Sequence, residues 1–156
     1  RFAEAAGGIA RLADAFGPRT VRTRWVAPEQ PRDAWRAYFE LWPFARQGPE
    51  HPMFDLVPPF DALTGPIVTS TAFGKWGEAL DAALDGAREI VLVGVSTDCC
   101  VLSTALAAAD AGVHVRIPVD ACAGASDEDH ARALAAMALY APLIELTTVD
   151  EVLAAP

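Results

Sequence analysis

Two adjacent cysteines, Cys99 and Cys100, are the residues best placed to do chemistry in this sequence. They follow an apolar run that reaches Gly94, and an Ala-rich helix is predicted to begin at Asp98. The first turn of a helix carries unpaired N–H groups and partial positive charge, and both favour a thiolate over a thiol. The same N–H groups can bind the oxyanion that forms when a thiolate attacks a carbonyl. The position by itself leaves three interpretations open: a nucleophilic cysteine, a pair of small core residues, or a vicinal disulfide.

Lys75 is the one lysine among the twelve basic residues, so a lysine-dependent chemistry has a single candidate. Asp120 follows a predicted strand and could be catalytic, but an aspartate at a strand end more often caps a loop. His130 falls on a helical face, where a structural role is more common. No spacing of histidines, cysteines or carboxylates suits a metal site, and we predict neither a metal nor a cofactor.

Several aromatic residues could line a substrate pocket or belong to the core. We expect Trp25, Phe44 and Trp76, together with the hydroxyl of Thr97, to bind substrate.

The stretch VGVSTDCCVLSTA, residues 93–105, resembles the nucleophile motif of isochorismatase-like cysteine hydrolases. The later Val119-Asp120-Ala121 agrees with the same family, and the similarity is strongest over residues 91–152. The resemblance implies that Cys100, which precedes a valine, is the nucleophile, and that Cys99 occupies a variable position. It also implies a cis peptide at Val95–Ser96 and an oxyanion hole formed by the N–H groups of Ser96 and Cys100.

The resemblance further implies a catalytic triad of Asp, Lys and Cys. The lysine usually closes a strand, but the predicted strand 67–70 ends without one, and Lys75 follows in the loop TAFGKWG. We expect Lys75 to reach the site from that loop. The aspartate lies on the first strand, whereas this chain opens in the helix that should follow that strand. We therefore expect an upstream segment of about twenty to thirty residues, enough for a strand and its connection.

Hydrophobic periodicity and turn signals predict strands alternating with helices from residue 19 onward. This pattern predicts a three-layer αβα fold around an open parallel sheet, with the first strand absent from the given chain. We expect residues 1–156 to form a single, N-terminally incomplete domain. The predicted helices cover residues 2–16, 31–41, 77–84, 98–111, 126 onward and 150–153, and the predicted strands cover residues 19–26, 67–70, 89–95, 113–119 and 143–147.

Composition restricts the class of protein. A net charge of −9 argues against nucleic acid as a partner. No apolar run approaches the roughly 18 residues that a membrane span needs. An odd number of cysteines, two of them adjacent, is a poor disulfide framework and indicates a reducing cytoplasm. We further expect a homo-oligomer that acts on a small molecule.

The function that these observations favour is hydrolysis of a C–N bond in a small amide or carbamoyl compound through a thioester on Cys100. Three alternatives stay open at this point. The first is a family member that binds a small ligand or a partner protein without turnover. The second is a vinyl-ether hydrolase of the isochorismate type, and the third is a thiol-redox protein that uses Cys99 and Cys100.

Overall fold

The fold is an α/β arrangement in which every strand pair is parallel. The computed structural model describes residues 2–154. The helices are α1 (Phe2–Phe16), α2 (Ala34–Leu41), α3 (Glu78–Ala83), α4 (Leu102–Asp110), α5 (Asp127–Ala138) and α6 (Val149–Ala154). The strands are β1 (Arg22–Trp25), β2 (Ile67–Ser70), β3 (Glu89–Val91), β4 (Gly94–Val95), β5 (His114–Pro118), β6 (Cys122–Ala123) and β7 (Ile144–Thr147).

Four parallel ladders join the strands into three groups. Strand β1 pairs with β2, β3 with β5 and β5 with β7, and β4 pairs with β6. Within residues 2–154 no ladder joins the β1–β2 pair to β3. The expectation that a further strand lies between these two groups stays a prediction.

Alternating residues of β3 and the segment after it face two different helical layers. Ile90 and Leu92 belong to the core beneath α4 and α5, which also contains Val115, Ile117 and Met137. Val91 packs instead with Leu12 of α1 and Val149 of α6, and Val93 contacts both clusters. Burial on both faces is what a near-continuous apolar run in a parallel sheet indicates, and it produces the predicted three layers.

Several element boundaries differ from the sequence-based prediction, and β1 is shorter than predicted, at Arg22–Trp25. Helix α2 begins at Ala34 after Asp33, so Pro31 lies before the helix and not in its first turn. The predicted strand 89–95 is divided into β3 and β4, because β4 pairs with β6 and not with β5. Strand β5 ends at Pro118, which lacks the N–H that a longer ladder would need.

The long segment between α2 and β2 is ordered by short turns and by one arginine. It contains three single 3-10 turns, Pro43–Ala45, Pro52–Phe54 and Phe60–Ala62. The guanidinium group of Arg22 donates to the carbonyl oxygens of Phe60 and Asp61 at 3.2 Å and of Gly65 at 2.8 Å. This arginine therefore fastens the end of the loop to β1.

Candidate functional site

A tight turn between β4 and α4 presents both cysteines. Gly94 has φ +122°, a conformation that side-chain-bearing residues rarely adopt. The peptide bond between the following two residues, Val95–Ser96, is cis, as the resemblance implies. Residues Thr97–Val101 then form one π-helical turn, here called the cysteine turn, which runs directly into α4. Single π-helical turns are frequent at functional sites.

In the cysteine turn, the backbone amides before and after that of Cys100 in the sequence are both hydrogen-bonded. The Ser96 carbonyl oxygen accepts from the amide of Cys99 at 3.3 Å and from that of Val101 at 3.1 Å. The amide of Leu102 in turn donates to the carbonyl oxygens of Thr97 and Cys99. The wider π-helical spacing thus sets the orientation of the two cysteines.

Side chains on both flanks hold the cysteine turn against the start of α5. The Thr97 Oγ1 lies 2.8 Å from the His130 Nδ1, and the Asp98 carboxylate accepts from the Ala125 amide at 2.8 Å. A Cβ on Gly124 would lie 2.8 Å from the backbone nitrogen of His130, so a glycine is needed there for α5 to approach this closely. His130 therefore has the structural role that its helical position favours.

The two thiols have opposite electrostatic properties. A hydrogen-bonding interaction with the Cys99 side chain lowers the pKa of Cys100 to about 6, and the positive charge of Lys75 and the Ser96 backbone N–H act in the same direction. Burial and the charge of Asp98 oppose this shift. The same interaction with Cys100, together with burial, raises the pKa of Cys99 far above its usual range. Of this adjacent pair, Cys100 is the thiol that ionises first.

Lys75 lies beside the cysteines although its loop is distant in sequence. The residue is 8% exposed, and its ammonium donates to the carbonyl oxygens of Ala72, at 3.3 Å, and Phe73. Burial lowers the pKa of Lys75, while the charges of Cys100 and Cys99 and a hydrogen-bonding interaction with Cys100 oppose this. That Lys75 reaches the site from its loop and acts on Cys100 stays a prediction.

An aromatic cluster lies next to Lys75. The Phe73 ring centroid is 5.0 Å from that of Trp35, 5.5 Å from that of Tyr38 and 6.0 Å from that of Trp25. The Tyr38 phenol interacts with the cysteines: burial raises its pKa, and the charges of Cys99 and Cys100 raise this pKa further. Tyr38 and Phe73 were not predicted as site residues from the sequence. The spacing of Trp35, Tyr38 and Phe39 along α2 was the available signal, since it places three aromatic rings on one helical face.

The structure brings only one of the expected substrate-binding residues into this cluster. Trp25 stacks within it, and its indole N–H donates to the Thr71 carbonyl oxygen at 3.0 Å. Phe44 is 62% exposed and its ring pairs with that of Trp42, apart from the cluster. Trp76 packs against the core beneath α4. The Thr97 hydroxyl is buried and occupied by His130, so it is not open to a ligand.

The remaining polar candidates have structural partners. The Asp120 carboxylate accepts from the Val149 amide at 2.9 Å and so caps α6, which agrees with the capping interpretation. Burial raises the pKa of Cys122 to about 12. No disulfide joins the three cysteines, and no group of His, Cys, Asp or Glu between residues 2 and 154 is arranged to hold a metal ion. No helix in that part of the chain is long and apolar enough to cross a membrane.

Comparison with known proteins identifies the class to which this fold and site belong. The family model for the isochorismatase domain matches residues 1–151. The chain belongs to the isochorismatase family of hydrolases. No curated protein sequence matches it significantly.

Solved structures with the same fold share little sequence identity with this chain. An isochorismatase-like hydrolase from Alkaliphilus metalliredigens has 20% identity and a TM-score of 0.72, with 96% of this chain and 80% of that chain covered. A MAR1 ribonuclease from Caenorhabditis elegans has 24% identity and a TM-score of 0.71, with 97% of this chain and 69% of that chain covered. A nicotinamidase from Staphylococcus aureus has 19% identity and a TM-score of 0.62, with 93% of this chain and 86% of that chain covered. At these sequence identities the similarity shows a shared fold and nothing more.

Proposed function

We propose that this protein is a cysteine-dependent amidohydrolase that cleaves a C–N bond of a small amide or carbamoyl compound through a thioester on Cys100. The single observation that carries the proposal is the position of Cys100 in the cysteine turn, directly after the cis peptide bond at Val95–Ser96. The surroundings of Cys100 also lower the pKa of its thiol, to about 6. A thiolate is the reactive form of cysteine, and at neutral pH this thiol is mostly ionised. A buried structural cysteine has the opposite property, as Cys122 does.

The first step is attack of the Cys100 thiolate on the substrate carbonyl carbon, which forms a C–S bond and places negative charge on the carbonyl oxygen. The N–H groups of Ser96 and Cys100 are the proposed donors to that oxyanion. The Ser96 N–H belongs to the cis peptide bond itself, and its interaction with Cys100 lowers the pKa of that thiol. The Ser96 carbonyl accepts from the amides before and after that of Cys100.

Collapse of the tetrahedral intermediate breaks the C–N bond and leaves the acyl group on sulfur. The proton lost by the thiol has to reach the leaving nitrogen, and the resemblance assigns this transfer to the triad aspartate. Water then cleaves the thioester and restores the thiolate. In this scheme Lys75 stabilises the negative sulfur at the start and the end of the cycle.

The aromatic cluster supports a small substrate with an apolar or planar group. Trp25, Tyr38 and Phe73 form a wall next to the Lys75 ammonium, and we propose that part of the substrate packs against it. We also propose that the enzyme works as a homo-oligomer in a reducing cytoplasm. The three free cysteines support the choice of compartment.

The test is direct detection of the acyl-enzyme. The full-length protein is incubated with a panel of small amides and carbamoyl compounds, quenched in acid and analysed by mass spectrometry. We expect a mass increase equal to the acyl group on the peptide that contains Cys100, and none in Cys100→Ser. Release of ammonia or amine without an adduct, at equal rates in the native protein and Cys100→Ser, would exclude the thioester mechanism.

A further inference from the structure

We propose that Thr104 is a positioning residue whose buried hydroxyl fixes the Lys75 loop against the cysteine turn, and so holds the Lys75 ammonium beside the Cys100 sulfur. Thr104 lies in the first turn of α4 and is 2% exposed. The inference rests on the proposed function, because this placement matters to chemistry only where Cys100 is the nucleophile.

Two hydrogen bonds in series pass through the Thr104 hydroxyl. The hydroxyl accepts from the Lys75 amide at 2.9 Å and donates to the Cys100 carbonyl oxygen at 2.7 Å. The second bond is the i to i−4 contact that threonine commonly makes within a helix, and it fixes the direction of the hydroxyl proton. The lone pairs are thereby left for the Lys75 amide, which is 29 residues away in sequence.

The neighbouring residue strengthens the same attachment. Gly74 packs so closely on α4 that an added Cβ would lie 3.3 Å from the Ser103 carbonyl oxygen. A loop held at both Gly74 and Lys75 cannot slide along the helix. The first part of the side chain therefore starts from a fixed point, and the ammonium turns back onto the carbonyl oxygens of Ala72 and Phe73.

This attachment answers the difficulty raised by the sequence, in which Lys75 lies in a loop and not at the end of a strand. A flexible lysine on a mobile loop would spend little time next to one sulfur atom. The Thr104 bonds join the backbone of Lys75 to the backbone of Cys100. The positions of the two backbones are therefore fixed relative to each other. Loss of the hydroxyl would remove both bonds at once.

The experiment measures the rate at which iodoacetamide modifies Cys100 as a function of pH, in the full-length protein, with fragment-ion mass spectrometry to separate Cys99 from Cys100. In Thr104→Val we expect the midpoint of this profile to rise by about one pH unit, a roughly tenfold loss of thiolate at a pH below the midpoint. Thr104→Ser keeps the hydroxyl and should keep the native midpoint. Thr147→Val is the matched control, because it removes another buried hydroxyl, one bonded to Glu151 at 2.8 Å.

A double-mutant cycle separates positioning from a general structural effect. Adding Thr104→Val to Lys75→Met should leave the midpoint where Lys75→Met alone sets it, because Thr104 acts through the lysine. Shifts that simply add, or a native midpoint in folded Thr104→Val, would overturn the proposal. If Thr104→Val does not fold, Gly74→Ala decides: pushing the loop from Ser103 should raise the midpoint, and an unchanged midpoint would refute the proposal.

Alkylation needs no turnover, so this test is independent of the amide substrate. A shifted midpoint in a protein that forms no acyl-enzyme would sustain the role of Thr104 and contradict the hydrolase mechanism. A native midpoint in a protein that does form the acyl-enzyme would do the reverse.

Discussion

The side chains of Thr97 and His130 are joined across 33 residues by a contact of 2.8 Å between Oγ1 and Nδ1. Thr97 begins the cysteine turn and is fully buried, and His130 belongs to the first turns of α5. The contact therefore connects the element that carries Cys100 to a helix on the far side of the loop that follows β6.

We expect His130→Ala to destabilise the protein by about 1–3 kcal/mol, because the buried Thr97 hydroxyl would lose its partner. Urea unfolding measures the change. His114→Ala is the control, since His114 is partly exposed and its charged neighbours lie 3.5 Å or more from its ring. Equal losses in both variants would mean that the contact with Thr97 contributes no special stability.

Local signals predicted the elements that local chemistry determines. The strand Ile67–Ser70 has the bounds that its β-branched residues indicate. Ser126 caps α5 as its spacing to Asp129 indicates, with the hydroxyl accepting from the Asp129 amide at 3.0 Å. The cis bond at Val95–Ser96 was available from the family motif and not from propensity.

The rest of the site depends on contacts between residues distant in sequence. Periodicity predicted a helix from Asp98 but not that the cysteine turn is π-helical, because the side chains of this turn bond to residues distant in sequence, at and before the start of α5. The aromatic face of α2 was readable, but its position beside Phe73 was not. Phe44 shares with Trp25 only its aromatic side chain, and it lies on the exposed side of the loop.

Cys100 should be the first cysteine to react with iodoacetamide at neutral pH. Its lowered pKa of about 6 means that the thiolate is present above this pH and is lost as the pH falls through it. The modification rate should rise from pH 5 to pH 7 and then level off. Cys99 and Cys122 have raised pKa values and should react more slowly throughout. Peptide mapping checks the order, and preferential modification of Cys122 would contradict the assignment.

Asp120→Ala should cost about 0.5–2 kcal/mol of stability, because the Val149 amide at the start of α6 loses its acceptor. Thermal unfolding measures this loss. Asp120→Asn keeps an oxygen acceptor but cannot carry a proton as a carboxylate does, so it should retain both stability and amide hydrolysis. A large loss of hydrolysis in well-folded Asp120→Asn would show instead that this aspartate takes part in catalysis.

Replacement of Lys75 by methionine should raise the pKa of Cys100 by about one unit or more, because an adjacent positive charge is lost while the buried side-chain volume is kept. The same change should slow formation of the acyl-enzyme by about fivefold at pH 6, because the thiolate fraction there would fall from about one half to about one tenth. Part of this loss should be recovered on raising the pH toward 8, because the thiolate then forms without help from the lysine. Stopped-flow or quench measurements of single-turnover acylation across this pH range give the profile.

Arg88→Met is the matched control, since it removes a positive charge that is exposed and paired with Asp81 at 3.0 Å. A pH profile in Lys75→Met that coincides with those of the native protein and Arg88→Met would remove Lys75 from the mechanism.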